Sequence, residues 1–291
     1  MREKQGIMNV IQITEDNIDD FRDIIPGDIA ENIGRQPYHC IALEDGKDVL
    51  PAALVWEYKH LNDETKPTLS RLSWLHADDP DAGNGVFTEY GDTIREVEAE
   101  KSMFLLPEAE VSGVEDVYKS AGFDLKAQEG EELTVTVGML SGLDMIKKGK
   151  TPKYLSPLGT LMTRSFRRGL MNCIFHTQRE RVEDLSCLPM DWFEPELSCS
   201  VQTDDKITGM LLVHKCSSGR LRVEFMSASG PDAKKDLFHM VRFAILQAVA
   251  NYPSETEVII PRRDEASRKL AAYFFPNKKG QASVFGERKE N

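Results

Sequence analysis

The sequence predicts a mixed α/β protein made of two tandem copies of one domain, on three observations. Pro80-Asp81-Ala82-Gly83-Asn84-Gly85-Val86-Phe87 recurs 151 residues later as Pro231-Asp232-Ala233-Lys234-Lys235-Asp236-Leu237-Phe238, with Pro, Asp, Ala and Phe at the same spacing. Each copy follows an apolar stretch that alternates like a strand and opens a segment periodic like a helix. Around both copies the order is helix, three strands, motif, helix, a short apolar strand stopped by proline, and a further helix.

The elements follow in order. Thr14 is placed to cap a helix through Ile18, Phe21 and Ile25, ended by Pro26-Gly27, and a second short helix covers 28–33. Strands are expected over 39–43, 52–58 and 69–76, with a turn at Glu44-Asp45-Gly46-Lys47 and a polar loop over 62–66. After the first motif, Val86, Tyr90, Ile94 and Val97 form one helical stripe. A buried strand over 103–106 ends at Pro107, and a helix over 111–121 stops at Gly122. Residues 123–125 and 133–137 are then expected to pair as closing strands.

Gly142, Gly149, Pro152 and Pro157 mark 141–157 as a linker, so the expected domains are 1–140 and a shortened 158–291. The second begins with Leu158, Met162, Phe166, Leu170 and Ile174, an apolar face at four-residue spacing, with Arg164, Arg167 and Arg168 elsewhere. Strands over 199–202, 209–214 and 221–226 precede the second motif. A helix with Leu237, Val241, Ile245 and Val249, a strand over 258–260, a helix over 265–274 and a strand over 282–285 complete the chain.

A length of 291 residues with 29% charged and 41% hydrophobic residues fits two globular domains. The net charge of −12 argues against a general nucleic-acid binder and is compatible with a cationic substrate such as an amine. Five scattered cysteines without a C-x-x-C pair are expected to be reduced and mostly buried. No apolar run reaches the ~20 residues of a membrane-spanning helix. Residues 1–12 lack the apolar core of a secretory signal, and Met8 is a second candidate start. A cytoplasmic protein is expected, with no membrane partner; a homodimer is compatible.

On this order and on two motifs the chain resembles the GNAT superfamily of N-acetyltransferases, in tandem. The family's pyrophosphate loop, Q/R-x-x-G-x-G/A, falls on Ala82-Gly83-Asn84-Gly85-Val86-Phe87, where Gly85 matches and Ala82 and Phe87 do not. In the second half the register falls on 233–238 and every signature position is lost, with Asp236 at the central glycine and Lys234 and Lys235 beside it. Tyr118-Lys119-Ser120-Ala121-Gly122-Phe123 matches the family's Y-x-x-x-G-F. Tyr273 is out of register with Tyr118.

The resemblance implies acetyl-CoA as co-substrate and transfer of its acyl group to a primary amine, on a small molecule or a peptide. It implies that Leu75, His76, Gly83, Asn84, Gly85 and Val86 hold the donor and that Tyr118 protonates the departing thiolate, a task suited to a phenol. Glu57 is the candidate base, with His76, His214 and Glu224 as other strand residues of the right chemistry, and Trp56 and Trp74 as walls of a core or pocket. Packing roles for these residues remain open beside the catalytic ones. The working site is expected in the first half, and the alternative is a GNAT-like scaffold without catalysis. The chain has no G-x-S-x-G, Walker A or H-E-x-x-H pattern, His176 and Cys187 are poorly spaced for zinc, and no metal is expected.

Overall fold

The structure, a computed structural model, describes residues 9–34, 38–44, 50–59, 69–147, 151–177, 185, 188–204, 206–262 and 264–290. The chain divides into two compact units, the first made of Met1–Gly130 with Gln281–Asn291 and the second of Glu131–Gly280. The expected turn at 45–47, the loop over 62–66, Met8 and Cys187 lie outside the described residues.

In the first unit, β1 (Asn9–Ile13), which sequence reading did not foresee, leads through a short 3-10 turn to α1 (Gly27–Ala30). The helix expected through Ile25 is only this turn, Ile18–Phe21, preceded by a local hydrogen bond from the Thr14 N–H to the Asn17 side chain. Then come β2 (Tyr38–Glu44), β3 (Ala52–Lys59), β4 (Leu69–Ala77), α2 (Pro80–Glu96) and β5 (Lys101–Pro107). The helix expected over 111–121 is split into α3 (Glu108–Val111) and α4 (Glu115–Ser120), followed by β6 (Asp124–Glu129).

The second unit holds β7 (Glu132–Thr136), α5 (Val137–Ser141), α6 (Asp144–Lys147), β8 (Leu155–Pro157), α7 (Thr163–Thr177), β9 (Cys199–Thr203), β10 (Lys206–Lys215), β11 (Leu221–Ala228), α8 (Ala233–Asn251), β12 (Glu257–Pro261) and α9 (Glu265–Phe274). Met162 is 75% exposed while Phe166, Leu170 and Cys173 are buried, because α7 begins only at Thr163 and Met162 precedes it. The last strand, β13 (Ala282–Lys289), belongs to the first unit.

The sheet orders are β1-β2-β3-β4-β5-β13-β6 and β7-β12-β11-β10-β9-β8. Thus β6 and β7 do not pair with each other as expected. β13 lies between β5 and β6, antiparallel to both, with Gly286 opposite Phe104 and Leu125, whereas β7 pairs with β12. The expected boundaries, 1–140 and 158–291, therefore differ from the observed division. Each fragment alternates as a strand should, but period-two alternation specifies faces and not partners. Residues 141–157 contain α6 and β8 where a linker was expected.

Each sheet carries helices on both faces. In the first unit Ala82, Val86, Tyr90, Ile94 and Tyr118 pack on Leu54, Trp56, Leu72 and Phe104, while Ile18, Ile25 and Ala30 pack on Cys40, Ala42 and Val55. In the second unit Met240, Phe243 and Ala271 cover one face and Phe166, Leu170 and Cys173 the other. Cys40, Cys173, Cys199 and Cys216 are buried and in no disulfide, as expected; burial pushes the thiols of Cys40 and Cys173 up to about 12.

The duplication extends to a strand irregularity. Val55 pairs with Trp74 and Trp56 with Leu72, leaving Ser73 as an extra residue in β4. Leu212 pairs with Phe225 and Val213 with Val223, leaving Glu224 extra in β11. Ser73 and Glu224 are 151 positions apart, the spacing of the motif.

A Cβ at Gly286 would sit 2.2 Å from the Phe104 ring. Gly286→Ala is expected to destabilise the first unit by roughly 1–3 kcal/mol through overpacking, read by chemical denaturation. Deleting 281–291 removes a strand paired on both edges; hydrogen exchange on that chain is expected to lose protection in β4–β6 and keep it in β9–β12.

Candidate functional site

Both units contain a fork between parallel strands. β4 and β5 pair only over Leu69–Arg71 and Lys101–Met103, and then part. β11 and β12 pair only at Leu221 and Arg222 with Val258 and Ile259. In each case the helix after the longer strand starts at the mouth of the fork, where unpaired N–H groups could meet an anion.

At the first fork the chain caps its own helix start. α2 begins at Pro80 and not at Val86, so Gly83, Asn84, Gly85 and Val86 lie within the helix and form no loop. The Asp79 carboxylate caps it, accepting from Ala82 N–H at 2.8 Å, and Gly83 N–H donates to the Asp79 carbonyl at 3.1 Å. Proline at the first helical position contributes no donor. Asp78, Asp79 and Asp81 are all exposed at this start. The glycines serve packing: a Cβ at Gly83 would lie 2.4 Å from Val117 Cγ1, and one at Gly85 2.8 Å from Leu43 Cδ1. Gly83 and Val86 are buried, and Asn84 accepts a hydrogen bond from the Ser120 hydroxyl at 2.6 Å, tying α2 to α4.

The remaining first-half candidates are spread over the sheet. Leu75 is buried in the core, while His76 on the same strand stacks on Trp74 and faces Asp78 at 3.2 Å. Glu57 is buried on β3 with Arg71 at 3.5 Å. Tyr118 is 0% exposed, 4.2 Å from the Phe104 ring centroid and flanked by Phe87 and Phe123. Its hydroxyl has no hydrogen-bond partner among the described residues. Burial first, and the charge of Glu110 second, push its pKa far above the phenol range. The hydroxyl at the base of this fork is Tyr90's, hydrogen-bonded to Ser70 at 2.6 Å and Ser102 at 2.7 Å.

The second fork differs at every one of these points. Gly230 (φ +93°) opens a turn ahead of α8, and no side chain caps the Asp232 position. Lys234 and Lys235 are exposed in the first turn. Asp236, at the position of Gly85, is buried and bound to the Tyr154 hydroxyl, whose pKa rises through burial and then through that carboxylate. Glu224, the extra residue of β11, faces Arg222 at 3.5 Å, and Arg222 also meets Glu132. His214 stacks on Trp192 at 3.9 Å with Nδ1 2.7 Å from the Trp192 carbonyl, a structural placement. Tyr273 is 75% exposed.

Sequence charge separates the forks further. Residues 72–94 and 102–118, which build the first, hold nine carboxylates and no lysine or arginine. The counterparts 223–245 and 258–274 hold five carboxylates and seven basic residues. Ser229-Gly230-Pro231 followed by two lysines is the signal by which sequence reading could have found the second fork. Asp79-Pro80, a cap followed by a first-turn proline, is the signal that α2 starts early.

No protein-family model and no curated protein matches the sequence. Among solved structures, a tandem GNAT protein from the clavulanic acid biosynthesis pathway aligns with a TM-score of 0.64 at 10% identity, over 98% of this chain and 99% of that one. A protein of unknown function from Enterococcus faecalis V583, described as a probable N-acyltransferase, aligns with a TM-score of 0.56 at 10% identity, over 97% of this chain and 73% of that one. A putative acetyltransferase from Pyrococcus horikoshii gives 0.51 at 12% identity, over 99% and 91%. No helix among the described residues is long and apolar enough to cross a membrane. At such identities the likeness speaks for architecture alone, and by its architecture the chain carries the tandem GNAT N-acetyltransferase fold.

Proposed function

We propose that the chain is an acyl-CoA-dependent N-acyltransferase whose donor, acetyl-CoA, binds in the second unit. The observation that carries this reading is the contrast at the two helix starts. α2 opens with a carboxylate cap and three exposed aspartates, whereas α8 opens without a side-chain cap, after a left-handed glycine and with two exposed lysines. A diphosphate is repelled by the first and attracted by the second. The expectation of a working site over Gly83–Val86 thus gives way to its counterpart one repeat later.

The acceptor in this reading is a primary amine. Its neutral nitrogen attacks the thioester carbonyl carbon; the C–N bond forms, the C–S bond breaks, and the thiolate takes up a proton as the amine loses one. Glu224 is the residue proposed to receive the amine proton, because the bulge of β11 re-aims that position beside the fork. Tyr118 has no acid role in this reading, as it lies in the other unit with its hydroxyl buried among Phe87, Phe104 and Phe123.

The second reading, a scaffold without catalysis, is favoured by the absence of a phenol on α9 in register with Tyr118. Calorimetric titration with acetyl-CoA separates the two. Binding is expected to wild type, weakened about tenfold or more in Lys234→Glu/Lys235→Glu by charge reversal beside the diphosphate and unchanged in Asp78→Asn/Asp81→Asn. No heat with wild type leaves the scaffold reading, and a gain in affinity confined to the aspartate variant, with the lysine variant unchanged, returns the donor to the first unit.

Tyr118→Phe is expected to leave donor affinity and turnover unchanged. It removes a buried hydroxyl without a partner and is expected to raise stability by about 1 kcal/mol. A rate falling about 10²-fold, the scale of one general acid, would contradict this.

A further inference from the structure

We propose that the second unit pairs with a second copy of this chain, β7 against β7, through the outer edge of that strand. The pairing is independent of where, or whether, acetyl-CoA binds.

The two copies of the fold differ by one strand. In the first unit β13 lies antiparallel to β5, and its other side is filled by β6, again antiparallel. In the second unit β7 takes the place of β13, antiparallel to β12, and ends the six-stranded sheet. Among the described residues no strand pairs with its other side. The strand that completes the duplication is therefore one antiparallel to β7. A two-fold axis brings such a strand from an identical chain.

The register fixes which groups meet. At the two ends of the β7–β12 ladder, Val137 N–H donates to the Thr256 carbonyl at 3.0 Å and Arg262 N–H to the Glu131 carbonyl at 2.6 Å. Inward bonding alternates along an antiparallel strand, so the main chains of Leu133 and Val135 bond β12. The N–H and C=O groups of Glu132, Thr134 and Thr136 then point out of the sheet edge. Pro261, which has no N–H to give, lies opposite Glu132 and agrees with this phase. A two-fold centred on Thr134 sets Thr134 opposite its own copy and Glu132 opposite Thr136, so every outward donor and acceptor of both strands is paired. Leu133 then meets Val135, both buried on the same apolar face. Thr–Thr and aliphatic cross-strand pairs favour the contact.

The chemistry of the edge agrees. Edge strands that stay single are blunted by charges, prolines or shortness. β6 carries Asp124, Lys126 and Glu129, β8 is three residues ending in Pro157, and the Gln12 carbonyl of β1 is taken by the Asn17 side chain. β7, Glu-Leu-Thr-Val-Thr, has neither proline nor lysine, and its one charge, Glu132, is bound by Arg222. Its neighbouring helices show apolar side chains. Met139 on α5, which follows β7 directly, is 37% exposed. Tyr273 is 75% exposed on α9, whose Ala271 shares an apolar cluster with Leu133 and Val135. The self-complementary register commits this edge to a second copy of the chain.

Analytical ultracentrifugation of the full chain over a concentration series is expected to show a monomer–dimer equilibrium. Thr134→Lys sets like charges opposite each other at the two-fold. Thr134→Pro removes the central N–H of each copy and leaves the β7–β12 ladder whole. Each is expected to weaken the dimer about tenfold or more, the scale of two lost hydrogen bonds, while hydrogen exchange keeps its protection over β9–β12. Gln12→Lys, on the edge of β1, is expected to leave the equilibrium unchanged. Thr134→Cys is expected to cross-link under mild oxidation, since opposite Cα atoms about 5.5 Å apart lie within disulfide reach; Gln12→Cys is expected to stay uncross-linked. A wild type that is monomeric throughout the series would overturn the proposal. So would a dimer unmoved by both Thr134 variants, an equal loss in Gln12→Lys, or a dimer in which Thr134→Cys fails to cross-link.

Discussion

The first unit depends on one strand pairing, the insertion of β13 between β5 and β6. Seven residues of β13 pair with β5 and six with β6, so the last segment of the chain supplies backbone partners to two strands made long before it. Without it, two rows of backbone groups would lack partners, at a cost no surface interaction offsets. It also explains Gly286, where the Phe104 ring occupies the space of a side chain. Arg288 follows on the same strand, donating to the Ala121 carbonyl and lying over the rings of Phe87, Tyr90 and Phe123. The second unit, by contrast, is one continuous stretch and takes β7 as its own edge strand.

Two copies of one fold thus carry different chemistry at equivalent points. In the first, Gly83 and Gly85 let α2 approach Val117 and Leu43, and Asp79 seals its first turn. In the second, Asp236 replaces the glycine but turns to Tyr154, and lysines line the helix start. Each arrangement is internally consistent, one acidic and packed, the other basic and uncapped.

Much of this was legible in the sequence. The doubled order, the strands, the long helices and the buried thiols follow from periodicity, length and the prolines that stop strands. The partner of β13 was not legible, since alternation over 282–289 reports a strand without naming its sheet. Nor was the role of the glycines, because a glycine that admits a phosphate and one that admits a valine side chain look alike. The Tyr118 match pointed to a residue whose position the fold kept while the surroundings closed over its hydroxyl. The informative signals lay beside the motif, in Asp79-Pro80 and in Gly230 with its two lysines.

In the proposed function the donor meets the start of α8 and not that of α2. Hydrogen-exchange mass spectrometry of the full chain with and without acetyl-CoA reads this directly. Added protection over 228–236 and along β11, with 78–86 unchanged, is the predicted result; protection over 78–86 with 228–236 unchanged would contradict it.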